Sequence, residues 1–279
     1  MKTLLLILLI TVFGLLALLW LWRQMDRRSD LAAMQQLMAA QPERPACFDL
    51  AMVAGLPEPA RRYFAYTIEP GTPLYTVADI VMDGRFGMGE RDKPGYLRMA
   101  ARQVLALPKG FVWQMRAGRG LMRLSGSDSQ RWTRFWLMEV IPVARMGGTP
   151  DHTRSAFGRY VAEAVFWTPA AMLPGPGVRW ELVDVNTARV TVRHNRLEQS
   201  VDVTVAEDGQ PTQVSFARWS DANPDKVHRL QPFGGFLSEF RTFGGFRLPT
   251  HVEAGNFFGT EDYFPFFIAR VTGITFPKH

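Results

Sequence analysis

The groups able to do chemistry in this chain are five histidines, one cysteine, 26 acidic side chains and scattered hydroxyls. His152, His194, His228, His251 and His279 are dispersed, and no HExxH or cysteine–histidine module brings ligands together around a metal. His251 and Glu253 fall two apart, which on a strand gives them a common side. An ordinary surface pair explains them more simply than two metal ligands. His194, in VRHNRLE, fits a turn or a solvated strand end. Cys47 is alone, so it forms no intrachain disulfide and reads as an inert thiol.

The GSDS run at 126–129 offers hydroxyls and a carboxylate. It lacks the GxSxG setting of a nucleophile elbow and reads as a turn. Asp79 with Asp83, and Glu261 with Asp262, are paired acids on paper. Acid–base work needs convergence on a substrate, which adjacency does not supply. FGGF occurs twice, at 233–236 and 243–246, and matches neither GxxxxGK[ST] nor GxGxxG. Its glycines permit tight turns or close backbone approach. The expectation is aromatic closure of an apolar β core around flexible turns. These patterns predict no catalytic residue, metal ligand or cofactor; a hydrolase with an unrecognised site stays open as an alternative.

What the chain holds in quantity is aromatic surface, 20 Phe and 8 Trp. Candidate lining residues for an apolar ligand are Trp113, Phe135, Trp136, Phe157, Phe166, Trp167, Trp180, Phe216, Phe236 and Phe246. Such rings can form a lipid-compatible wall with a few polar groups fixing orientation. They can equally fill a core between sheet and helix. Volume separates the two: a cavity below roughly 300 Å³ argues against enclosure of a lipid tail in that state.

Those rings need elements to hold them. Residues 4–22, LLLILLITVFGLLALLWLW, carry no charge. At about 1.5 Å per residue they give roughly 28 Å of helix, close to the hydrocarbon thickness of a bilayer. The run ends in LWLWRQMDRR without a small-x-small cleavage site, and Trp20 and Trp22 suit a membrane interface. A transmembrane helix is expected over 3–22. Residues 23–55 read as a helical membrane-proximal linker, with Leu31, Met34, Leu37 and Met38 at helical spacing before Pro42 and Pro45.

The remainder, 56–279, reads as a single β-rich domain. A short helix in LPEPARRYFAYTI puts Arg61 and Arg62 on its wet or membrane-facing side. Strand patterns follow around 75–82, 96–105, 111–117 and 131–140. A helix near 154–170 carries Arg159 and Glu163 four apart, a pair worth only a few tenths of a kcal/mol; Pro169 kinks or ends it. Then Val178, Trp180 and Leu182, Val190 and Val192, and Val201, Val203 and Val205 alternate with polar residues. EDGQ at 207–210 is a turn, and 266–276 is a last strand. The fold class is mainly β (α+β): a curved antiparallel sheet or incomplete barrel packed against one or two helices, preceded by a transmembrane helix. A two-part β domain is the alternative.

The net charge of +6 is spread thinly, +2 in the first thirty residues and +4 over the rest. No clustered basic stripe appears, so proximity to anionic lipid fits better than a nucleic-acid partner. Arg23, Arg27 and Arg28 outnumber Lys2 and the terminal amine, which on charge counting places the main domain in the cytoplasm.

LPEPARRYF at 56–64, GRYVAEAVFWTPAAMLP at 158–174, VRWELVD at 178–184 and FGGFRLPTHVEAG at 243–255 together resemble an uncharacterised family of bacterial membrane-associated proteins, over roughly residues 50–276. That family is similar, more distantly, to the lipoprotein-sorting class, whose curved sheet and helices enclose an apolar cavity. The resemblance implies a bacterial cytoplasmic membrane protein, a main domain in the periplasm against the arginine count, and a lipid or lipidated ligand. A protein helix departs from a freely diffusing carrier and fits a tethered receptor or handover protein. The leading expectation is noncatalytic binding of an apolar ligand, with the bilayer as partner. The alternative is a structural interaction module docking a membrane-complex protein.

Overall fold

A computed structural model describes residues 2–278, so His279 lies outside the described residues. Helix α1 (Lys2–Met38) runs unbroken through the apolar segment and sixteen residues past Trp22. It is the one helix among the described residues long and apolar enough to cross a membrane, and that window is unburied. Of the stretch expected as a linker over 23–55, residues 23–38 are the second half of the same helix, docked on the domain.

The docking is ionic at one end and apolar at the other. Arg134 donates to Asp26 at 3.1 Å and to Asp30 at 2.5 Å, and Arg145 reaches Asp26 at 2.7 Å. Trp136 Nε1 donates to Asp26 at 2.9 Å, and Ser127 Oγ to Asp30 at 2.8 Å. Arg23 and Arg27 both pair with Glu139. Both aspartates are nearly sealed, at 3% and 2% exposure, a setting in which charge survives only when paired and hydrogen-bonded. One turn and more further on, Met34 packs with Val77, Val104, Ala106 and Val112. Gln41 then accepts from the Thr76 and Val77 amides.

The sheet holds thirteen antiparallel strands among the described residues. From the centre, β1 (Val77–Gly87), β2 (Tyr96–Ala106), β3 (Gly110–Ala117), β4 (Leu124–Ser129), β5 (Trp132–Leu137) and β6 (Ile141–Gly147) step outward to one edge. Helix α3 (Pro150–Trp167) carries the chain to the opposite edge. There β7 (Val178–Leu182), β8 (Thr187–His194), β9 (Leu197–Val205), β10 (Pro211–Ser220), β11 (Arg229–Phe243), β12 (Phe246–Asn256) and β13 (Phe264–Thr275) step back until β13 pairs with β1. Helix α1 lies on one face of β1–β6 and α3 on the other, as the pleat sorts side chains by parity. Helix α2 (Glu58–Thr67) closes the inner face at the β7–β9 side, its Tyr63 and Phe64 against Trp180.

Several local expectations change for physical reasons. GSDS is no turn: it forms most of β4, with Ser125, Ser127 and Ser129 toward the α1 side. A Cβ on Gly126 would sit 2.0 Å from the Arg134 carbonyl, so only glycine lets β4 and β5 approach. The strand expected over 131–140 is β5 and stops at Leu137, because Met138 and Glu139 adopt left-handed φ of 50° and 65° and reverse the chain into β6 without a glycine to announce it. The first FGGF lies within β11 rather than at a turn; a Cβ on Gly235 would meet the Glu253 carbonyl at 1.9 Å. The second does turn the chain, Gly244 and Gly245 at φ 58° and 90° between β11 and β12. Arg62 is not simply wet: it pairs with Glu58 and donates to the Val185 and Ala206 carbonyls, tying α2 to two hairpins.

Arg134→Ala would leave Asp26 with one arginine and Asp30 with only hydroxyl and amide donors. Breaking such a buried pair costs about 3–5 kcal/mol. The expected result is cleavage by trypsin after Arg27 and Arg28 rising by roughly two orders of magnitude or more, since opening limits access, with β-strand circular dichroism retained.

Candidate functional site

Between α3 and the inner face of the sheet lies a cavity of about 210 Å³. Its walls come from β1, β3, β4, β5, β10, β11, β12 and β13 on the sheet and from α3, where Ala162, Phe166 and Trp167 contribute. Parity explains the selection: Trp113 on β3 meets Phe86 on β1, Phe135 on β5 and Phe267 on β13 at centroid distances of 5.9, 6.4 and 6.1 Å. Gly234 and Gly235 lie in the wall on β11, where larger residues would collide with neighbouring backbone.

Of the ten aromatic residues expected to line a site, Trp113, Phe135, Phe166, Trp167 and Phe216 line this cavity. The other five sit elsewhere. Trp136 follows Phe135 on the same strand and so faces α1, edge-on to Trp22 at 5.4 Å. Phe157 packs on Tyr160, and Trp180 beneath α2 donates to the Met172 carbonyl at 2.8 Å. Phe246 is buried against Phe276, whereas Phe236 is 48% exposed beside Phe258.

One corner of the cavity is charged. Arg159 donates to Asp128 at 2.5 Å and to Glu163 at 2.7 Å, and lies over the Trp113 ring. Glu163 also accepts from Gln103 at 2.6 Å. Burial works against the Arg159 charge, but the two carboxylates more than offset it and its pKa is raised. The pair that looked like a weak helix-surface contact is thus the inner half of a largely buried triad. Its third member, Asp128, comes from the GSDS strand.

Arg218 is different. It projects from β10 on the same side as Val214 and Phe216, with its guanidinium 4.8 Å over the Phe233 ring. Among the described residues it has no ion pair and no side-chain hydrogen bond, and its Nε is sealed from solvent without an acceptor. Burial, with Arg159 adding like charge, pushes its pKa down to about 10, so it stays a cation at neutral pH. The indole Nε1 atoms of Trp113 and Trp167 are also buried without acceptors. Each such donor costs about 1–3 kcal/mol when left unmatched. Three orphan donors therefore belong to the walls of one apolar cavity. Arg218 did not stand out in the sequence, and Asp128 did so only as the carboxylate of GSDS, because its partner Arg159 is 31 residues away.

No other expected chemistry assembles. His251 meets Glu253 at 3.2 Å as a pair on β12, Asp79 is held by Arg102 at 2.6 Å, and Cys47 is exposed. Among the described residues no cluster of three or more metal-ligating side chains forms.

The chain matches the family of unknown function DUF6544 over residues 46–268 and belongs to it. No curated protein matches the sequence. Among solved structures it resembles a LolA superfamily protein from Nitrosomonas europaea, 11% identical, covering 78% of this chain and 91% of that one with a TM-score of 0.37. It likewise resembles a putative outer membrane lipoprotein-sorting protein domain from Vibrio parahaemolyticus, 9% identical, covering 81% and 91% with a TM-score of 0.38. Likeness at that level is remote and leaves the function to be read from the site itself.

The two arginines respond oppositely to removal. Arg159→Leu strands two largely buried carboxylates and is expected to lower stability by about 3–5 kcal/mol. Arg218→Met removes an unpaired cation from an apolar wall and is expected to leave stability unchanged or raise it by about 0.5–2 kcal/mol. Chemical denaturation of the two variants beside the parent protein checks the contrast.

Proposed function

We propose that this protein is a noncatalytic, bilayer-tethered binder of an amphipathic molecule. The apolar part of the ligand occupies the cavity under α3, and an acceptor-rich, acidic head meets Arg218. The observation that carries the reading is the coincidence of an aromatic cavity with three buried donors that have no acceptor. Arg218 is half-buried with its Nε sealed from solvent, and its charge beside the aromatic wall supports a ligand with an acceptor-rich head. The apolar half of α1 supplies the tether.

At about 210 Å³ the cavity falls below the roughly 300 Å³ expected of a site enclosing a drug-sized ligand. It exceeds the ~150 Å³ of an apolar cavity that takes benzene. This conformation therefore accommodates a short apolar segment and not a whole lipid tail. A longer chain requires α3 to move outward or the tail to emerge from the mouth. The small volume is also the specific observation favouring the second reading, an interaction module with an essentially filled core.

Catalysis has weaker support. The two acids that reach the cavity, Asp128 and Glu163, are both held by Arg159, whereas an acid–base catalyst must be placed to meet a substrate.

Laurate and the corresponding uncharged alcohol, dodecanol, separate the terms by displacing the anionic dye ANS from the purified full chain. Arg218→Met is expected to weaken laurate by about tenfold, or about 1.4 kcal/mol, and to change dodecanol little. Ala162→Phe, which fills the cavity, is expected to abolish displaceable binding of both while a cooperative melt is retained. Binding unchanged in both variants would sink the proposal and leave the interaction module.

A further inference from the structure

The docked half of α1 fixes which part of the domain is nearest the end of its apolar half. Arg23 is the first charge after the apolar run, and it donates to Glu139 and to Ser125. Glu139 is at the tip of the β5–β6 hairpin. The β3–β4 connection lies beside it: Leu124 pairs with both Ala117 and Leu137, and the Met138 amide donates to the Arg123 carbonyl at 2.8 Å. Trp22, at the boundary, packs on Trp136 and under Arg145 at 4.3 Å. The opposite end of the docked half ends near Gln41 and Val77, roughly 24 Å further along the helix at about 1.5 Å per residue.

That near end is unusually apolar for a free surface. Leu121 is 77% and Met122 64% exposed, flanked by exposed Arg119 and Arg123. Met88, in the β1–β2 connection, and Ile141, beside the hairpin tip, are 57% and 45% exposed. Single exposed apolar residues are ordinary. Here two adjacent ones, bracketed by arginines, sit on a connection joined to the hairpin that clasps the first charges after an apolar helix.

We propose that the β3–β4 connection is a bilayer-contact surface, with Leu121 and Met122 entering the headgroup–acyl boundary and Arg119 and Arg123 meeting anionic lipid phosphates. This rests on reading α1 as a bilayer span and is independent of what the cavity holds. The chemistry matches interfacial binding, in which apolar side chains and basic charge act together. The charge network on α1 makes the contact possible, because a flexible linker would let the domain face any direction. A rigid helix presents the same end to the lipid every time.

The test uses the full chain in nanodiscs containing phosphatidylcholine and phosphatidylglycerol. The exposed native Cys47 lies toward the far end, where the Phe48 amide donates to the Thr72 carbonyl, and is labelled with bimane as the distal probe. In a Cys47→Ser background, Leu121→Cys carries the same label, and Met88→Cys provides a second position if the first variant folds poorly. Quenching by doxyl-labelled lipid is expected to be roughly threefold or more stronger at position 121 than at Cys47, with iodide showing the reverse order. Arg119→Gln with Arg123→Gln is expected to weaken the lipid quenching and to remove its dependence on phosphatidylglycerol content. Equal iodide access at positions 121 and 47, or extraction of the chain by alkaline carbonate, would overturn the proposal. Neither readout depends on ligand in the cavity, so failure here leaves the binding reading to its own test.

Discussion

A thirteen-stranded open sheet has an inner face that one helix cannot cover. At about 4.8 Å per strand the sheet is roughly 60 Å wide, while a helix with its side chains is only about 10–12 Å across. Strands from both halves of the sheet nevertheless share one wall with α3. Gly126 and Gly235 allow close backbone approach between neighbouring strands, and phenylalanines fill much of the space under α3. The cavity is the part of this geometric mismatch that side chains do not close. It lies beside the centre of the sheet, where β13 returns to β1, with α3 forming the other wall.

Electrostatics then separates structure from candidate function within a single wall. Arg159 is saturated by two carboxylates and holds α3 to β4; removing it would expose a debt of desolvated charge. Arg218, on the facing strand, has only an aromatic ring and distant acids around it. An acidic or acceptor-rich ligand head is the partner proposed above for that cation. The same contrast holds on the opposite face, where Asp26 and Asp30 are buried but well supplied with partners. Those charges fix the direction of α1.

Local pattern made much of the fold legible. The uncharged run of 4–22, the helix around Arg159, and the valine alternation of β7–β9 all follow from periodicity, which needs only near neighbours. The hairpin at Met138–Glu139 was not legible, since two non-glycine residues adopt left-handed φ there. GSDS looked like a turn because small polar residues favour turns, yet it is a strand whose Ser127 donates to Asp30 on α1, nearly a hundred residues earlier. The cavity was half legible: aromatic content announced a wall, but Phe135 and Trp136 are adjacent and must face opposite sides of the sheet. Arg218 was invisible as a site residue because what distinguishes it is the lack of a partner, which only the folded chain reveals.

Two faces of one sheet thus serve two environments, an outer face locked to a bilayer-length helix and an inner face holding an apolar cavity with unmatched donors. Native mass spectrometry of the intact protein after gentle membrane extraction tests the central claim most directly. The account predicts a reproducible bound species with an acidic or acceptor-rich head and an apolar chain, lost in Ala162→Phe. A consistently empty protein that copurifies with another polypeptide would contradict it.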